Sequence, residues 1–254
     1  MDYCRFGSGE GTLVILPGLS VQSVMPAADA IAEQYKLLTD AFTVYVFDRK
    51  KGPLPVPYTI EDMALDTAEA LEALGLGAVE LFGASQGGMM AMELAINRPE
   101  LVHKLILGSS SACVGQDQFG LFDSWIQLAK AGKTAALYLS FGEALYPREI
   151  FEGVKDAWLT AAESVTAAEL ARFVALAEGL RDFDITEKLE RIRCPVLVIG
   201  SRRDAVLGGS ASEQLAEGLR GSADCQLYMY DGYGHAVYDC APDYTQRMLR
   251  FLTA

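Results

Sequence analysis

The sequence predicts an α/β fold, a mostly parallel and doubly covered sheet with a helical cap inserted before the last two strands. Two observations support this prediction. Short apolar runs alternate with helix-like segments through residues 1–108 and again through residues 193–254, and such alternation requires right-handed crossovers between parallel strands. Residues 109–192, by contrast, are helical in character and contain no convincing strand. We therefore expect an α/β core of residues 1–108 and 193–254, and a cap of residues 109–192.

The predicted strands are short apolar runs rich in β-branched and aromatic residues. Runs 3–6 and 12–16 flank a glycine-rich segment, which predicts a hairpin that enters the sheet. The later runs are almost free of polar residues because a parallel strand between two helical layers is buried on both faces. In chain order the predicted strands are residues 3–6, 12–16, 42–47, 78–82, 105–108, 196–199 and 226–230.

The predicted helices are longer segments in which apolar residues recur at helical spacing and glycine or proline marks the ends. In chain order the predicted core helices are residues 21–40, 59–74, 89–97, 211–219 and 242–252. The inserted segment 109–192 is rich in aromatic residues and is punctuated by Gly132, Gly142 and Pro147. We expect most of these aromatic side chains to pack against one another inside the insert.

The composition fits a globular protein of 254 residues, long enough to bury a substantial core. A formal net charge of −13 argues against nucleic-acid and anionic-membrane partners, because both require a basic surface. Lys50 and Lys51, in loop 50–57, are interpreted as solvated surface residues. Five scattered cysteines without Cys-x-x-Cys spacing indicate free thiols. With no signal-like start and no apolar run of membrane-spanning length, we expect a cytoplasmic protein.

Residues 83–88, Gly-Ala-Ser-Gln-Gly-Gly, stand between a predicted strand and a predicted helix. In this setting Gly-x-Ser-x-Gly is typical of a nucleophile elbow, where a sharp turn exposes the serine and the glycines let strand and helix backbones approach. As a bare string the pattern is weak, since composition alone produces it in about one chain in eight. The strand–turn–helix setting is what predicts Ser85 as a nucleophile.

A serine nucleophile needs a neighbouring base and an acid that orients the base. The chain contains only two histidines. His103 directly precedes an apolar run and is interpreted as a solvated strand-entry residue, whereas His235 lies in a loop after the last predicted strand, where a base can reach the elbow. Asp204 follows the preceding strand and suits the chain order Ser, Asp, His. Asp231 and Asp239 remain alternatives, as loop or helix-cap carboxylates.

The elbow at residues 83–88, the segment 196–204 and Gly234-His235 together resemble the α/β-hydrolase-fold superfamily. The resemblance spans most of the chain. It is closest to the capped single-domain branch of esterases, lactonases, thioesterases and carbon–carbon bond hydrolases. It implies a catalytic triad of Ser85, Asp204 and His235, with a helical cap above the nucleophile.

The same resemblance implies an oxyanion hole. In this family, one backbone donor comes from the loop after the strand that ends at residue 16, and the other comes from the residue after the nucleophile. By position these donors are the amides of Leu19 and Gln86. The family usually has His-Gly in this loop, and Pro17 replaces the histidine, which puts the support of the loop by side chains in doubt. An ordinary turn is the alternative interpretation.

The sequence therefore predicts a serine hydrolase that cleaves a small or medium carboxylic ester, thioester or lactone through an acyl-enzyme on Ser85. The expected partner is a small, uncharged or apolar acyl substrate, and neither a metal nor an organic cofactor is expected. Because one fold hosts many chemistries, a ligand-binding protein, cofactor-free peroxidase, lyase, acyltransferase or carbon–carbon bond hydrolase remains the alternative. Cys240 is disfavoured as a nucleophile because it lacks an elbow.

Overall fold

Seven strands form one sheet in the computed structural model, which describes residues 1–52 and 54–254. The strands are β1 (Tyr3–Phe6), β2 (Gly11–Leu16), β3 (Phe42–Phe47), β4 (Val79–Ala84), β5 (Val102–Gly108), β6 (Val196–Ser201) and β7 (Cys225–Tyr230). Their spatial order is β1-β3-β2-β4-β5-β6-β7. Only β1 runs antiparallel to its neighbour, so the predicted mostly parallel sheet is confirmed.

Helices cover both faces of this sheet. They are α1 (Ala28–Gln34), α2 (Ile60–Ala73), α3 (Gln86–Asn97), α4 (Gln116–Lys130), α5 (Thr134–Leu145), α6 (Arg148–Glu163), α7 (Ala167–Glu178), α8 (Ala211–Gly218), α9 (Val237–Cys240) and α10 (Tyr244–Thr253). Helices α4–α7 follow β5 and precede β6, and we call them the helical insert. The exact division into core and cap at residues 109 and 192 stays a prediction. Within residues 1–52 and 54–254, no helix is long and apolar enough to cross a membrane.

The predicted hairpin of residues 3–6 and 12–16 is wrong. β1 pairs with β3, with Tyr3 opposite Phe47, and β2 lies on the other side of β3. The glycine-rich connection does not form a tight turn, because its backbone amides bond to the carbonyls of Thr39 and Ala41 just before β3. These long-range hydrogen bonds carry the chain past the start of β3, so that β3 lies between β1 and β2.

The predicted helix 21–40 is much shorter in the structure. Only α1 is α-helical, and single 3₁₀ turns at Met25–Ala27 and Lys36–Leu38 flank it. Tyr35 ends α1 with a non-helical backbone and is buried against Phe82, with ring centroids 6.2 Å apart. Packing of this side chain into the core overrides the local helical pattern.

In the predicted loop 50–57, Lys50 and Lys51 lie at the surface and pair with the carboxylates of Asp66 and Asp2. Pro53 lies outside the described residues. The two lysines are therefore solvated, as the sequence predicts.

The insert packs on the sheet through a continuous apolar layer. Its aromatic side chains mainly contact one another, as expected. Trp125 lies at the centre of this group, 4.5 Å from Phe141 and 5.3 Å from Phe122 between ring centroids. Such dense aromatic contacts allow the insert to hold its own shape above the sheet.

The carboxyl ends of β2 and β4 define where a site can form. β2 has β3 on one side and β4 on the other, so the chain reverses its winding direction between these neighbours. In open α/β sheets, ligands bind at such a topological switch point. Leu16 at the end of β2 is paired with Gly83 near the end of β4. The loop after β2 and the turn after β4 therefore emerge side by side.

Candidate active site

Ser85 occupies the sharp turn between β4 and α3. Its backbone has φ 53° and ψ −119°, which is an uncommon conformation for a residue other than glycine. A Cβ atom on Gly83 would lie 2.3 Å from the Gly87 carbonyl oxygen, and one on Gly87 would lie 2.0 Å from the Leu16 carbonyl oxygen. Both glycines are therefore required by close backbone approach, which explains the Gly-x-Ser-x-Gly pattern.

The structure brings Ser85, His235 and Asp204 into one hydrogen-bonded chain. His235 Nε2 lies 2.8 Å from Ser85 Oγ, and His235 Nδ1 lies 2.8 Å from Asp204 Oδ2. In sequence, His235 lies 150 positions from Ser85 and 31 positions from Asp204. All three are buried, with His235 only 1% exposed. This order of groups allows the imidazole to accept a proton from the hydroxyl while the carboxylate holds the ring.

Asp204 is held as an ionised acceptor. Its Oδ1 atom accepts hydrogen bonds from the backbone amides of Val206 and Leu207, at 2.8 and 2.9 Å. Burial by itself would raise the pKa of Asp204. The attraction and hydrogen bond of His235, together with the two amides, outweigh burial and place this pKa below its ordinary value. The carboxylate is therefore suited to stabilise a positive charge on the imidazole.

The alternative acids lie elsewhere. Asp231 is an exposed side chain whose Oδ1 atom lies 3.1 Å from Arg202 Nε. Asp239 accepts a hydrogen bond from the Tyr146 hydroxyl at 3.0 Å and a longer one from Gln34. His235 Nδ1 thus contacts Asp204 instead of either alternative.

The second histidine and the nearby cysteine also lie outside the hydrogen-bonded chain of Ser85. His103 is exposed, and its Nδ1 atom lies 2.7 Å from Glu80 Oε1 at the start of β5, as expected for a strand-entry residue. All five cysteines are free thiols. Burial, with a smaller contribution from Asp239, raises the pKa of Cys240 to about 11. A thiol that resists ionisation is a poor nucleophile at neutral pH.

The loop after β2 lies directly against Ser85. A Cβ atom on Gly18 would lie 3.2 Å from Ser85 Cβ, and Leu19 lines the same small cavity as the Ser85 side chain. Within residues 1–52 and 54–254, the backbone amides of Leu19 and Gln86 donate no hydrogen bond. Gln86 also begins α3, whose positive dipole end points towards the turn. Two unpaired amides at this position suit a developing negative charge.

Comparison with known proteins places the chain in a family. The model of the alpha/beta hydrolase family matches residues 13–246. The chain belongs to the alpha/beta hydrolase family. The matched region contains all five residues that the sequence predicts for the site.

Relatives of this hydrolase differ in the activity that their names state. A Rhizobium rhizogenes protein named "Putative carbamate hydrolase RutD" is 30% identical over 239 residues, which is 88% of this chain and 87% of that protein. Two solved structures share the fold. The deep-sea metagenome alpha/beta hydrolase MGS-M2 has a TM-score of 0.87 at 21% identity, covering 100% of this chain and 94% of its own. The Burkholderia xenovorans enol-lactonase has a TM-score of 0.85 at 19% identity, and the match covers 100% of this chain and 96% of the lactonase chain.

In this alpha/beta hydrolase, the loop after β2 is supported by Arg49, a residue that the sequence analysis missed. The Arg49 side chain is buried and donates from Nη2 to the Pro17 carbonyl at 2.6 Å and to Gln86 Oε1 at 3.3 Å. Burial lowers the pKa of Arg49 to about 10, against the attraction of Asp48. The doubt raised by Pro17 is thereby answered, since an arginine from the next strand end supports the loop. Its position just after β3, the neighbour of β2, is the signal that could have identified it.

Two polar links join the helical insert to the residues around the elbow. Gln86 Nε2 donates to the Leu176 carbonyl on α7 at 2.7 Å. Arg172, also on α7, donates to Asp48 Oδ1 at 2.8 Å and to the Arg49 carbonyl at 3.2 Å. Helix α7 is therefore hydrogen-bonded to Gln86, Asp48 and Arg49, next to the loop after β2.

Three cavities lie near these elements. The cavity that contains Ser85 and His235 has a volume of only about 30 Å³ and is closed by Phe122, Trp125 and Phe141 of the insert. A second cavity, of about 210 Å³, shares Gly18, Leu19, Leu145 and Tyr238 with it. A third, of about 570 Å³, lies between α7 and the loop after β3, and none of the three predicted triad residues lines it. We therefore look for substrate contacts in the first two cavities rather than in the largest.

Proposed function

We propose that this alpha/beta hydrolase is a serine hydrolase that cleaves a small or medium carboxylic ester, thioester or lactone through an acyl-enzyme on Ser85. The observation that supports this proposal is the buried chain of short hydrogen bonds from Ser85 Oγ through His235 to Asp204. A buried hydroxyl, imidazole and carboxylate in this order are the groups that acyl transfer requires.

In the proposed reaction, His235 Nε2 accepts the Ser85 proton as Oγ attacks the carbonyl carbon. Asp204 keeps the Nδ1–H tautomer and stabilises the imidazolium that forms. The imidazolium then donates its proton to the departing alcohol or thiol, and the acyl group remains on Ser85. His235 next activates a water molecule that attacks the acyl-enzyme and releases the acid.

We assign the oxyanion of each tetrahedral intermediate to the amides of Leu19 and Gln86. Donors of this kind contribute about 3 kcal/mol each to transition-state stabilisation. They are arranged before the reaction begins, because Arg49 holds the loop on one side and α3 fixes Gln86 on the other. We also propose that residues 109–192 act as the cap that excludes water from this step.

The proposed substrate is uncharged at the reacting end. Apart from Ser85, His235 and Tyr238, the side chains that line the Ser85 cavity are apolar: Leu19, Phe122, Trp125, Phe141, Leu145 and Val206. A charged group placed among them would lose its hydration without gaining a partner. The Rhizobium rhizogenes relative is named a putative carbamate hydrolase, so a carbamate is the first further substrate class to test beside esters, thioesters and lactones.

A substrate panel tests the proposal. Chain-length series of p-nitrophenyl esters, lactones, acyl thioesters and an O-aryl carbamate are assayed with the wild-type protein and with Ser85→Ala. We expect turnover of at least one class in the wild type, loss of it in Ser85→Ala, and labelling of Ser85 by a fluorophosphonate probe. Labelling without turnover of any class, or turnover that persists in Ser85→Ala, would point to the ligand-binding, peroxidase, lyase, acyltransferase or carbon–carbon hydrolase alternatives.

A further inference from the structure

The Ser85 cavity is too small to hold a substrate. Its volume of about 30 Å³ is the smallest of the three cavities described above. An acyl or alkyl chain of several carbons needs more space than this. The rest of the substrate must lie in a neighbouring space.

The cavity of about 210 Å³ lies next to the Ser85 cavity, and we call it the chamber. It shares Gly18 and Leu19 with the Ser85 cavity, so the two spaces meet along the loop after β2. The Tyr238 side chain stands at this boundary, with its hydroxyl 3.7 Å from the position of a Cβ atom on Gly18. A chain attached to a carbonyl at Ser85 would therefore have to enter the chamber beside this tyrosine.

The walls of the chamber are apolar and its mouth is polar. The strand ends of β2, β3 and β4 form the floor, and Val24 and Ile31 form the side nearest α1. Gln34 and Asp239 also line the chamber, and both are exposed, which places them at its opening to solvent. Pockets for drug-sized ligands usually have volumes of about 300–1,000 Å³. The chamber is smaller, so its occupant is small.

We propose that this chamber binds the aliphatic chain of a neutral substrate, with the reacting carbonyl at Ser85 and the chain end near Asp239. The proposal rests on the proposed hydrolase function and names the substrate class. An aliphatic chain matches the apolar walls and gains by leaving water. A carboxylate at the end of the chain is disfavoured, because it would face the Asp239 carboxylate at the mouth.

A filling substitution tests the chamber. Val24 is half-buried and lines only this cavity among the three described above, so Val24→Trp should occupy it without touching Ser85. The control is Val174→Trp on α7, which is also half-buried and lines a different surface cavity. Circular dichroism and thermal melting verify that both variants fold.

Two substrate series identify which half of the substrate enters the chamber: p-nitrophenyl acyl esters from acetate to hexanoate, and acetates of alcohols from methanol to hexanol. For Val24→Trp we expect kcat/KM to fall by at least about 20-fold for the six-carbon member of one series, because most of its buried methylenes are excluded. For the shortest member of each series, p-nitrophenyl acetate and methyl acetate, kcat/KM should change by less than about 2-fold. Equal losses along both series, or the same losses in Val174→Trp, would overturn the proposal.

The charge at the mouth gives a second test. Asp239→Asn should raise kcat/KM for the singly anionic p-nitrophenyl adipate by about 5-fold, since one repulsive charge is removed. The neutral p-nitrophenyl hexanoate carries no charge for Asp239 to repel, so its kcat/KM should change less than that of the adipate. An equal effect on both esters would show that Asp239 does not face the chain end.

Binding without turnover separates this proposal from the proposed function. Methyl hexanoate is titrated calorimetrically into Ser85→Ala and into Ser85→Ala combined with Val24→Trp. One outcome is that the wild type hydrolyses no ester, while Ser85→Ala binds methyl hexanoate and the double variant does not. The hydrolase assignment then fails and the chamber assignment stands. If esters are hydrolysed while Val24→Trp alters neither binding nor chain-length preference, the chamber assignment fails and the hydrolase stands.

Discussion

The strand ends of the sheet and the helical insert contribute to the site in different ways. The sheet supplies Ser85, Asp204 and His235 from loops that follow β4, β6 and β7, and backbone hydrogen bonds hold the turn at Ser85 and the carboxylate of Asp204. The insert supplies aromatic walls that interact mostly with one another. Polar contacts also join the two regions, among them those of Gln86 with Leu176 and of Arg172 with Asp48.

In the proposed reaction this difference separates the reacting groups from the walls of the insert. Groups that transfer protons must be fixed to a fraction of an ångström, and rigid strand ends provide that precision. The insert walls tolerate looser placement, because apolar contact is non-directional. Substitutions of the proposed reacting groups and of the residues that hold them should therefore affect kcat, whereas substitutions at the insert should affect KM or stability.

Removal of the proposed nucleophile is the strongest test of the role of the sheet loops. Ser85→Ala should lower kcat by at least about 10⁴-fold, because no acyl-enzyme can form. The far-UV circular dichroism spectrum and the melting temperature should remain close to those of the wild type. Turnover above one hundredth of the wild-type rate in purified Ser85→Ala would mean that Ser85 is not the nucleophile.

Arg49 tests whether support from beneath the loop matters as much as the loop itself. Arg49→Met keeps an unbranched apolar stem but removes the guanidinium and its hydrogen bonds to Pro17 and Gln86. We expect kcat to fall by about 100-fold, comparable to the loss of one oxyanion donor, with KM changed by less than about 3-fold. Affinity for a trifluoromethyl ketone should fall in parallel, while methyl hexanoate binding in the Ser85→Ala background is retained.

Arg181→Met is the matched control for this substitution. Arg181 is a half-exposed arginine of the insert that pairs with Glu178 and Asp123. The substitution Arg181→Met should leave kcat and the affinity for the trifluoromethyl ketone unchanged. If both arginine variants lose the same activity, Arg49 acts through general stability and not through the loop.

Arg172 tests the bond between the two regions. Arg172→Met leaves Asp48, which is 2% exposed, without its guanidinium partner. We expect the free energy of unfolding to fall by about 2 kcal/mol, in the range for hydrogen bonds to charged groups, and kcat for a short ester to change by less than about 3-fold. Urea denaturation and steady-state kinetics measure the two quantities. A large fall in kcat with unchanged stability would contradict the separation of the two regions.

The smallest expected effect concerns Asp204, whose ionisation should make the free energy of unfolding depend on pH. Because its pKa is lowered in the native protein, the ionised carboxylate stabilises the fold above its unfolded pKa of about 3.9. This contribution is lost as the pH falls below that value towards the native pKa. The difference in urea midpoint between wild type and Asp204→Asn should therefore be constant from pH 7 to 5 and shrink towards pH 3. A difference that grows on acidification would reverse the sign of the pKa shift.

Local patterns in the sequence were sufficient to predict the elements that carry the site. The strand–turn–helix around Ser85 is encoded by glycines that no other residue can replace, and β3 and α2 match their predicted runs closely. Asp204 and His235 could be proposed because each follows a strand. The α/β fold was therefore readable from the order of the elements.

Features that depend on contacts distant in sequence could not be read in the same way. The position of β1 is decided by its pairing with β3, and the end of α1 is decided by the burial of Tyr35. Arg49 resembles a surface arginine in the sequence, because its partners Pro17 and Gln86 lie 32 and 37 residues away. The boundary formed by Tyr238 has no local signature at all.

The enclosure of Ser85 bears on which molecules in a cell this protein leaves intact. A buried hydroxyl in so narrow a cavity is poorly accessible to a polypeptide, a polymer strand or the surface of an oil droplet. Each molecule of reactant must instead arrive dispersed and alone. We expect the enzyme to follow ordinary saturation with monomeric reactants and to gain nothing from emulsions or micelles.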